Sequence, residues 1–250
     1  MIGREINIEL CCFSANELSY IDENIRIELC SNFFEGGISP IPSLFLYIRS
    51  LLDNDIVVMV RPRGGDFYYS DVEFNMMKSD IQWFKQNGAN GFVFGLLNRD
   101  GTVDIERTSE LVKLASPLPV TFHRAFDMSV NHKQSLEDII KTGCKRILSS
   151  GGAENVDLGY EKLIELFKQA NSRIDIIPGG GVTIHNVMRF IDTGFEHVHL
   201  SAKKIIQSRM KYHANLSMTY SHEFSSFDYI GLDSEKFKNF VTYVRQNQAL

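Results

Sequence analysis

The stretch Thr121-Phe122-His123-Arg124-Ala125-Phe126-Asp127 decides the fold. It follows Pro117-Leu118-Pro119-Val120, so its apolar run is short and punctuated, as a buried strand is. Alternation along a strand sets Thr121 and His123 on one face and Val120, Phe122 and Arg124 on the other. A histidine and an arginine at the end of a buried strand raise the free energy unless something pairs with them. Other strand ends must converge on the same place.

Working outward, the same unit recurs: a short β-rich run, a loop with glycine or a helix cap, an amphipathic helix, and a stop. Strands are expected at 5–12, 25–30, 56–61 and 91–97 before the opening stretch, and at 146–150, 174–177 and 196–201 after it. Ser14-x-x-Glu17 and Ser70-x-x-Glu73 are capping boxes. The second opens a helix with Phe74, Met77, Ile81 and Phe84 on its inner face, closed by Gly88. Thr183 is expected to cap a helix carrying Val187, Phe190 and Ile191, and Phe237, Phe240, Val241 and Val244 mark the last helix.

Eight strands, each followed by a helix, give an α/β fold of the (β/α)8 TIM-barrel type, and 250 residues suit one such barrel. No composition shift or linker divides the chain. The expectation is a single domain over 1–250, with an irregular segment at about 203–229 between the eighth strand and the last helix. An open doubly wound sheet is the alternative, disfavoured because no GxGxxG turn opens the first helix.

Composition narrows the partners. The chain is 44% hydrophobic and 23% charged, with a net charge of -5 and no Lys/Arg run, so it carries no electrostatic footprint for nucleic acid. No apolar stretch approaches the roughly 20 residues of a membrane helix, and the first residues have no apolar signal core. Four cysteines without a CxxC spacing point to a reduced, cytoplasmic protein. A homo-oligomer, a dimer, is the expected assembly.

Alternation then sorts the polar residues. The apolar face of each strand packs under the helices, so Glu9, Arg26, Glu28, Arg61, His123 and His199 point into one lumen. Barrel chemistry sits at the C-terminal strand ends. That selects Glu28, Arg61, Arg63, Asp66, His123, Arg124, Asp127 and His199, with Glu9 deeper. Glu9 or Glu28 could serve as a general base and His123 as a proton carrier. Arg61 and Arg63 could hold a carboxylate or phosphate. Asp66 and Asp127 would orient those arginines or cap loops. The alternative is a set of structural ion pairs, although desolvation makes buried pairs a poor source of stability.

Two further groups stand out. Ser149-Ser150-Gly151-Gly152 and Pro178-Gly179-Gly180-Gly181, with Ser201 and a helix start near Thr183, could cradle an anion with backbone N–H groups; the alternative is tight turns alone. Cys11 and Cys30 lie on adjacent inner strands, with Cys12 facing the helices. Two soft thiolates suit Cu(I), whereas lone buried cysteines also serve as small hydrophobes. Cys144 follows a helix stop and is taken as structural.

These motifs carry a resemblance. Glu9-Leu10-Cys11-Cys12, Arg26-Ile27-Glu28-Leu29-Cys30-Ser31, Glu35-Gly36-Gly37, the run from Arg61 to Asp71, the run from Thr121 to Met128, Ser149-Ser150-Gly151-Gly152 and Pro178-Gly179-Gly180-Gly181 resemble the CutC family of copper homeostasis proteins, over about residues 9 to 202. The resemblance implies a (β/α)8 barrel, a cytoplasmic location, a part in copper binding or trafficking, and copper ligands at Cys11 and Cys30. The chain departs from the family pattern at Asp22-Glu23-Asn24 and matches less well from 203 to 229. Two functional expectations follow. The first is a Cu(I)-binding homeostasis protein. The second is an enzyme acting on a small anionic compound, phosphorylated or not, through Glu, Arg and His at the strand ends.

Overall fold

The computed structural model describes residues 6–15, 18, 21–216 and 225–248. Eight parallel strands alternate with helices in a nearly closed barrel: β1 (Asn7–Cys12), β2 (Arg26–Leu29), β3 (Ile56–Met59), β4 (Gly91–Phe94), β5 (Val120–Phe122), β6 (Arg146–Ser149), β7 (Asp175–Pro178) and β8 (His197–Leu200). Hydrogen-bonded neighbours run β7-β6-β5-β4-β3-β2-β1-β8. Across the seam, His197 Nε2 lies 3.4 Å from Asp175 Oδ2. The outer layer is α1 (Pro42–Leu51), α2 (Asp71–Gln86), α3 (Ile105–Ala115), α4 (His132–Thr142), α5 (Tyr160–Ala170), α6 (Val187–Thr193) and α7 (Ser234–Gln248).

The inward and outward faces follow the expected register. Leu10, Cys12, Ile27, Leu29, Val58, Phe92, Phe94, Phe122, Ile147 and Val198 belong to the large core shared with the helices. A separate apolar group inside the barrel holds Cys11, Cys30, Val57, Met59 and Val93. Period-two alternation thus divides the two compartments residue by residue.

Local chemistry sets several boundaries. Ser70 and Glu73 form the reciprocal capping box that starts α2, and Phe74, Met77, Ile81 and Phe84 are buried. β5 stops at Phe122 because His123 Nδ1 accepts the Ala125 N–H at 3.2 Å and opens a 3-10 turn, Arg124–Met128. The helix expected at Thr183 begins later, with Asn186 as its N-cap. Thr183 instead closes a turn: its N–H donates to Asn186 Oδ1 at 2.8 Å, and its Oγ1 accepts the His185 N–H at 3.2 Å.

The helix expected from Ser14-x-x-Glu17 falls largely outside the described residues. The segment expected to be irregular begins and ends in strand, since β9 (Lys203–Ile206) pairs antiparallel with β10 (Tyr229–Leu232). Lys203, Lys204 and Ile205 are all exposed, and in β10 the two consecutive residues Gly231 and Leu232 are buried, so neither strand shows an in–out alternation. Among the described residues, no helix is long and apolar enough to cross a membrane.

Candidate functional site

Register brings the deep polar residues together. Glu9 is level with Arg26 on one side and with His199 on the other, while Cys11 is level with Glu28. Glu9 is wholly buried; its Oε2 accepts from Arg26 Nε at 2.6 Å and its Oε1 from His199 Nδ1 at 2.7 Å. His199 Nε2 then faces Glu28 Oε2 at 3.7 Å. Cys30 Sγ donates to the same Glu28 oxygen at 3.6 Å, and Cys11 Sγ lies 3.8 Å from Cys30 Sγ. Glu28 Oε1 is buried without a partner.

The electrostatics follow from burial and pairing. Burial raises the pKa of Glu9, but the Arg26 charge and the His199 contact more than offset it and hold the carboxyl well below the usual range. At Glu28 burial prevails over the attraction of His199, and the nearby Glu9 charge adds to it, so this carboxyl moves up. His199 moves up despite burial, because Glu28 and Glu9 favour its cation. Burial pushes the Cys30 thiol up to about 11. Cys11 rises well above the thiol range, through its contact with Cys30 and then through burial.

A second pole lies in the loops after β3 and β5. Arg61 is 5% exposed and makes no ion pair among the described residues. Its terminal nitrogens donate to backbone carbonyls, NH1 to Glu35 and to Gly37 at 2.9 Å and NH2 to Gly65 at 2.8 Å, while Nε finds no partner. The guanidinium stacks over the Phe67 ring at 4.8 Å, and that ring meets the His123 imidazole edge to face at 5.0 Å. Burial and the Arg61 charge hold His123 down at about 3. Its Nδ1 is an acceptor, so its proton is on Nε2, which is buried and unpartnered. His123 is thus flanked by an arginine and an aromatic ring.

Both poles open on one cavity of about 1220 Å³ at the C-terminal end of the barrel. Cys11, Glu28, Arg61, His123, Arg124, Gly180, Gly181, His199 and Ser201 line it, together with Phe33 and Phe67 and with Lys236 and Asn239 of α7. Glu9 lies beneath it. Arg63 and Asp66 point away from it: Arg63 Nε pairs with Glu73 at 2.5 Å and its NH2 with Asp66 at 2.9 Å, over the Tyr69 ring. These two brace the loop rather than the lumen.

The expected anion cradle is divided. Asp127 fills the half after β6 with its own carboxylate. It accepts from Ser149 Oγ at 2.6 Å, from the Ser150 N–H and the Gly152 N–H each at 3.0 Å, and from Ser150 Oγ at 3.0 Å, and it pairs with Arg124 Nε at 2.8 Å. The Gly151 N–H turns to Ser149 Oγ at 2.8 Å. After β7, the Gly179 N–H bonds Ser149 O at 2.9 Å. Only Gly180 and Gly181, at φ +100° and +90°, keep N–H groups without a partner among the described residues.

Asp127→Ala should therefore lower stability by about 3 kcal/mol, because several buried donors and the Arg124 cation lose their acceptor together. Denaturant unfolding measures this, and a loss below about 1 kcal/mol would mean that the two loops find other acceptors.

Some functional side chains were accessible to sequence reasoning and others were not. His199 and Arg26 follow from alternation alone. Phe67, Asn239 and the His123 tautomer depend on loop paths and on α7, which no local pattern encodes.

Comparison with known proteins agrees with this architecture. The CutC family model matches residues 6–204. A family protein CutC of Proteus mirabilis is 38% identical over 232 residues, covering 91% of this chain and 92% of that protein. The human copper homeostasis protein cutC homolog is 40% identical over 205 residues, covering 82% of this chain and 75% of that protein. A solved CutC structure from Streptococcus agalactiae superposes with a TM-score of 0.72 at 32% identity, covering 78% of this chain and 97% of that one. On the matched length, the strand register and the shared barrel, the chain belongs to the CutC family.

Proposed function

We propose that this protein binds Cu(I) at Cys11 and Cys30 as part of copper homeostasis in the cytoplasm. The observation that carries the reading is the 3.8 Å separation of the two sulfurs on the inner wall. An ion with metal–sulfur bonds of about 2.3 Å and near-tetrahedral angles spans just such a gap. Cys11, Glu28 and His199 also offer ligand atoms within 4.8 Å of one another. His199 donates its Nδ1–H to the Glu9 carboxylate, which leaves Nε2 as the lone-pair nitrogen of the neutral ring, the arrangement common to metal-ligating histidines. Soft thiolates favour Cu(I) among available ions. Four free cysteines suit a reducing compartment, and two of the relatives are named as copper homeostasis proteins.

Cu(I) titration against a chromophoric Cu(I) chelator tests this, and the parent protein should bind one ion. Both thiols hold their protons at neutral pH, so binding must displace them. Apparent affinity should rise with pH, by about tenfold per pH unit for each proton released to solvent. A flat profile from pH 6 to 8 would exclude the thiols as ligands.

A second reading, an enzyme acting on a small anionic compound, is favoured by one observation: Arg61 is a buried cation on a roomy cavity, and no carboxylate among the described residues pairs with it.

A further inference from the structure

We propose that the Arg61–His123 pole of the cavity is a binding site for a small organic carboxylate, held by Arg61 Nε–H and His123 Nε2–H. The proposal deepens the second reading above and rests on it.

Charge comes first. In the deep network, Glu9 offsets Arg26, and Glu28 faces His199. Arg61 has backbone carbonyls, the Phe67 ring and the neutral Tyr69 hydroxyl around it, none of which cancels its charge. A buried guanidinium left in this state is unfavourable unless an anion arrives from outside. One cation beside a neutral imidazole calls for a single negative charge, which suits a carboxylate better than a dianionic phosphate.

The donors come next. Three carbonyls take three of the five N–H donors of Arg61, so Nε–H and one N–H of NH2 stay without a partner among the described residues, and of the two Nε has no bond at all. The Ala125 N–H fixes His123 as the Nε2–H tautomer, and the arginine beside it keeps the ring neutral, so Nε2 is a donor that does not change with pH near neutrality. Both atoms are buried without partners, and both residues line the cavity. Phe67 touches each of the two side chains, so both stand beside one ring, near enough for the Arg61 charge to act on His123. Two N–H donors on one pole of the cavity suit the two oxygens of a carboxylate. Phe67 and Met59 supply an apolar wall for the carbon skeleton. Glu28 does not neutralise Arg61: its Oε2 faces His199 and Cys30 at the other pole, and no ion pair joins it to Arg61 among the described residues.

The test is NMR titration of the labelled protein with acetate, acetamide and inorganic phosphate, following the Arg61 Nε–H, the His123 Nε2–H and the amides of Gly180 and Gly181. Acetate should give saturable shifts at both side-chain donors, and acetamide, its neutral counterpart, should give none. Arg61→Gln should weaken acetate at least tenfold, and His123→Phe several-fold. Because Arg61→Gln also loses three carbonyl contacts, the parent titration decides if that variant fails to fold. Equal shifts with acetamide would overturn the proposal. So would phosphate shifting only Gly180 and Gly181, although the anionic-compound reading would then survive. Silence of all four groups toward both anions would end both.

Discussion

Glu9→Gln should destabilise the barrel by about 3–5 kcal/mol, the usual consequence of removing one partner from a buried charge pair. For a chain of this length that is a fall of about 10 °C in Tm. The physical reason is that Glu9 sits fully buried between Arg26 and His199 and touches no water. The amide keeps the shape but removes the charge, leaving Arg26 as a partly buried cation with a further contact to His197 Nδ1 at 3.5 Å. The pH dependence separates this from a packing defect. The folded pKa of Glu9 is depressed, so its contribution is present above the unfolded value near 4.5 and is lost as pH falls. The gap between parent and variant should therefore be widest at neutral pH and should shrink in acid. His199 acts in the other sense. Its folded pKa is raised, so its share is complete below 6.5 and fades as pH rises through the folded value. A parent–variant difference below about 1 kcal/mol at pH 7, or one that does not narrow in acid, would show that the Arg26–Glu9–His199 net is not acting as a charge pair.

The inner face of the barrel was legible in the sequence because a parallel strand leaves a side chain no freedom about which face it joins. Glu9, Glu28, Met59 and His199 on one side, and Leu10, Cys12, Val58 and Val198 on the other, follow from parity alone. Closure of the barrel turns that parity into proximity, so residues far apart in the chain meet: Glu9 and His199 are level on adjacent strands. Loops obey no such rule. The sequence suggests that Asp127 orients Arg61 or Arg63 or caps a loop; it pairs instead with Arg124 and fills the turn after β6, which depends on how two strand ends meet. Thr183 has the residue type of a helix cap, yet Asn186 takes the position because its side chain can also bond back to the Thr183 N–H and the Gly181 carbonyl. Arg63 and Arg61 lie two residues apart in one motif, and only the loop path decides that one braces the surface while the other enters the cavity. The β9–β10 ribbon is not legible because β9 is largely exposed and β10 buries two consecutive residues, Gly231 and Leu232, so neither strand shows a two-residue periodicity.

The largest expected change in binding is the loss of Cu(I) in Cys11→Ser with Cys30→Ser. Two thiolates would supply most of the affinity for a soft ion, so the double variant should bind more than about a thousandfold more weakly, equivalent to about 4 kcal/mol. Serine is close to cysteine in size but binds Cu(I) poorly, and circular dichroism can verify that the barrel is intact. The other two cysteines serve as internal controls. Cys12 belongs to the core under the helices, and burial pushes its thiol above the usual range. Cys144 is buried in the same core beside the Thr142 hydroxyl at 3.3 Å. Cys144→Ser should leave Cu(I) affinity within a factor of two of the parent. Cys12→Ser should do the same if it folds. His199→Gln should weaken binding by about 10–100-fold if the imidazole completes the site, the range seen when a supporting group is lost. Access also has a direction. Cys11 lines the cavity, whereas Cys30 lies behind it, its sulfur closed over by the Gly37 turn at φ +92°. A β-carbon at Gly37 would come within 3.3 Å of Cys30 Sγ. Gly37→Ala should thus weaken Cu(I) binding through strain on Cys30, while leaving Cys11 open to thiol reagents. Equal Cu(I) affinity in the parent and the double cysteine variant would remove the copper reading and leave the anion-binding cavity as the function to pursue.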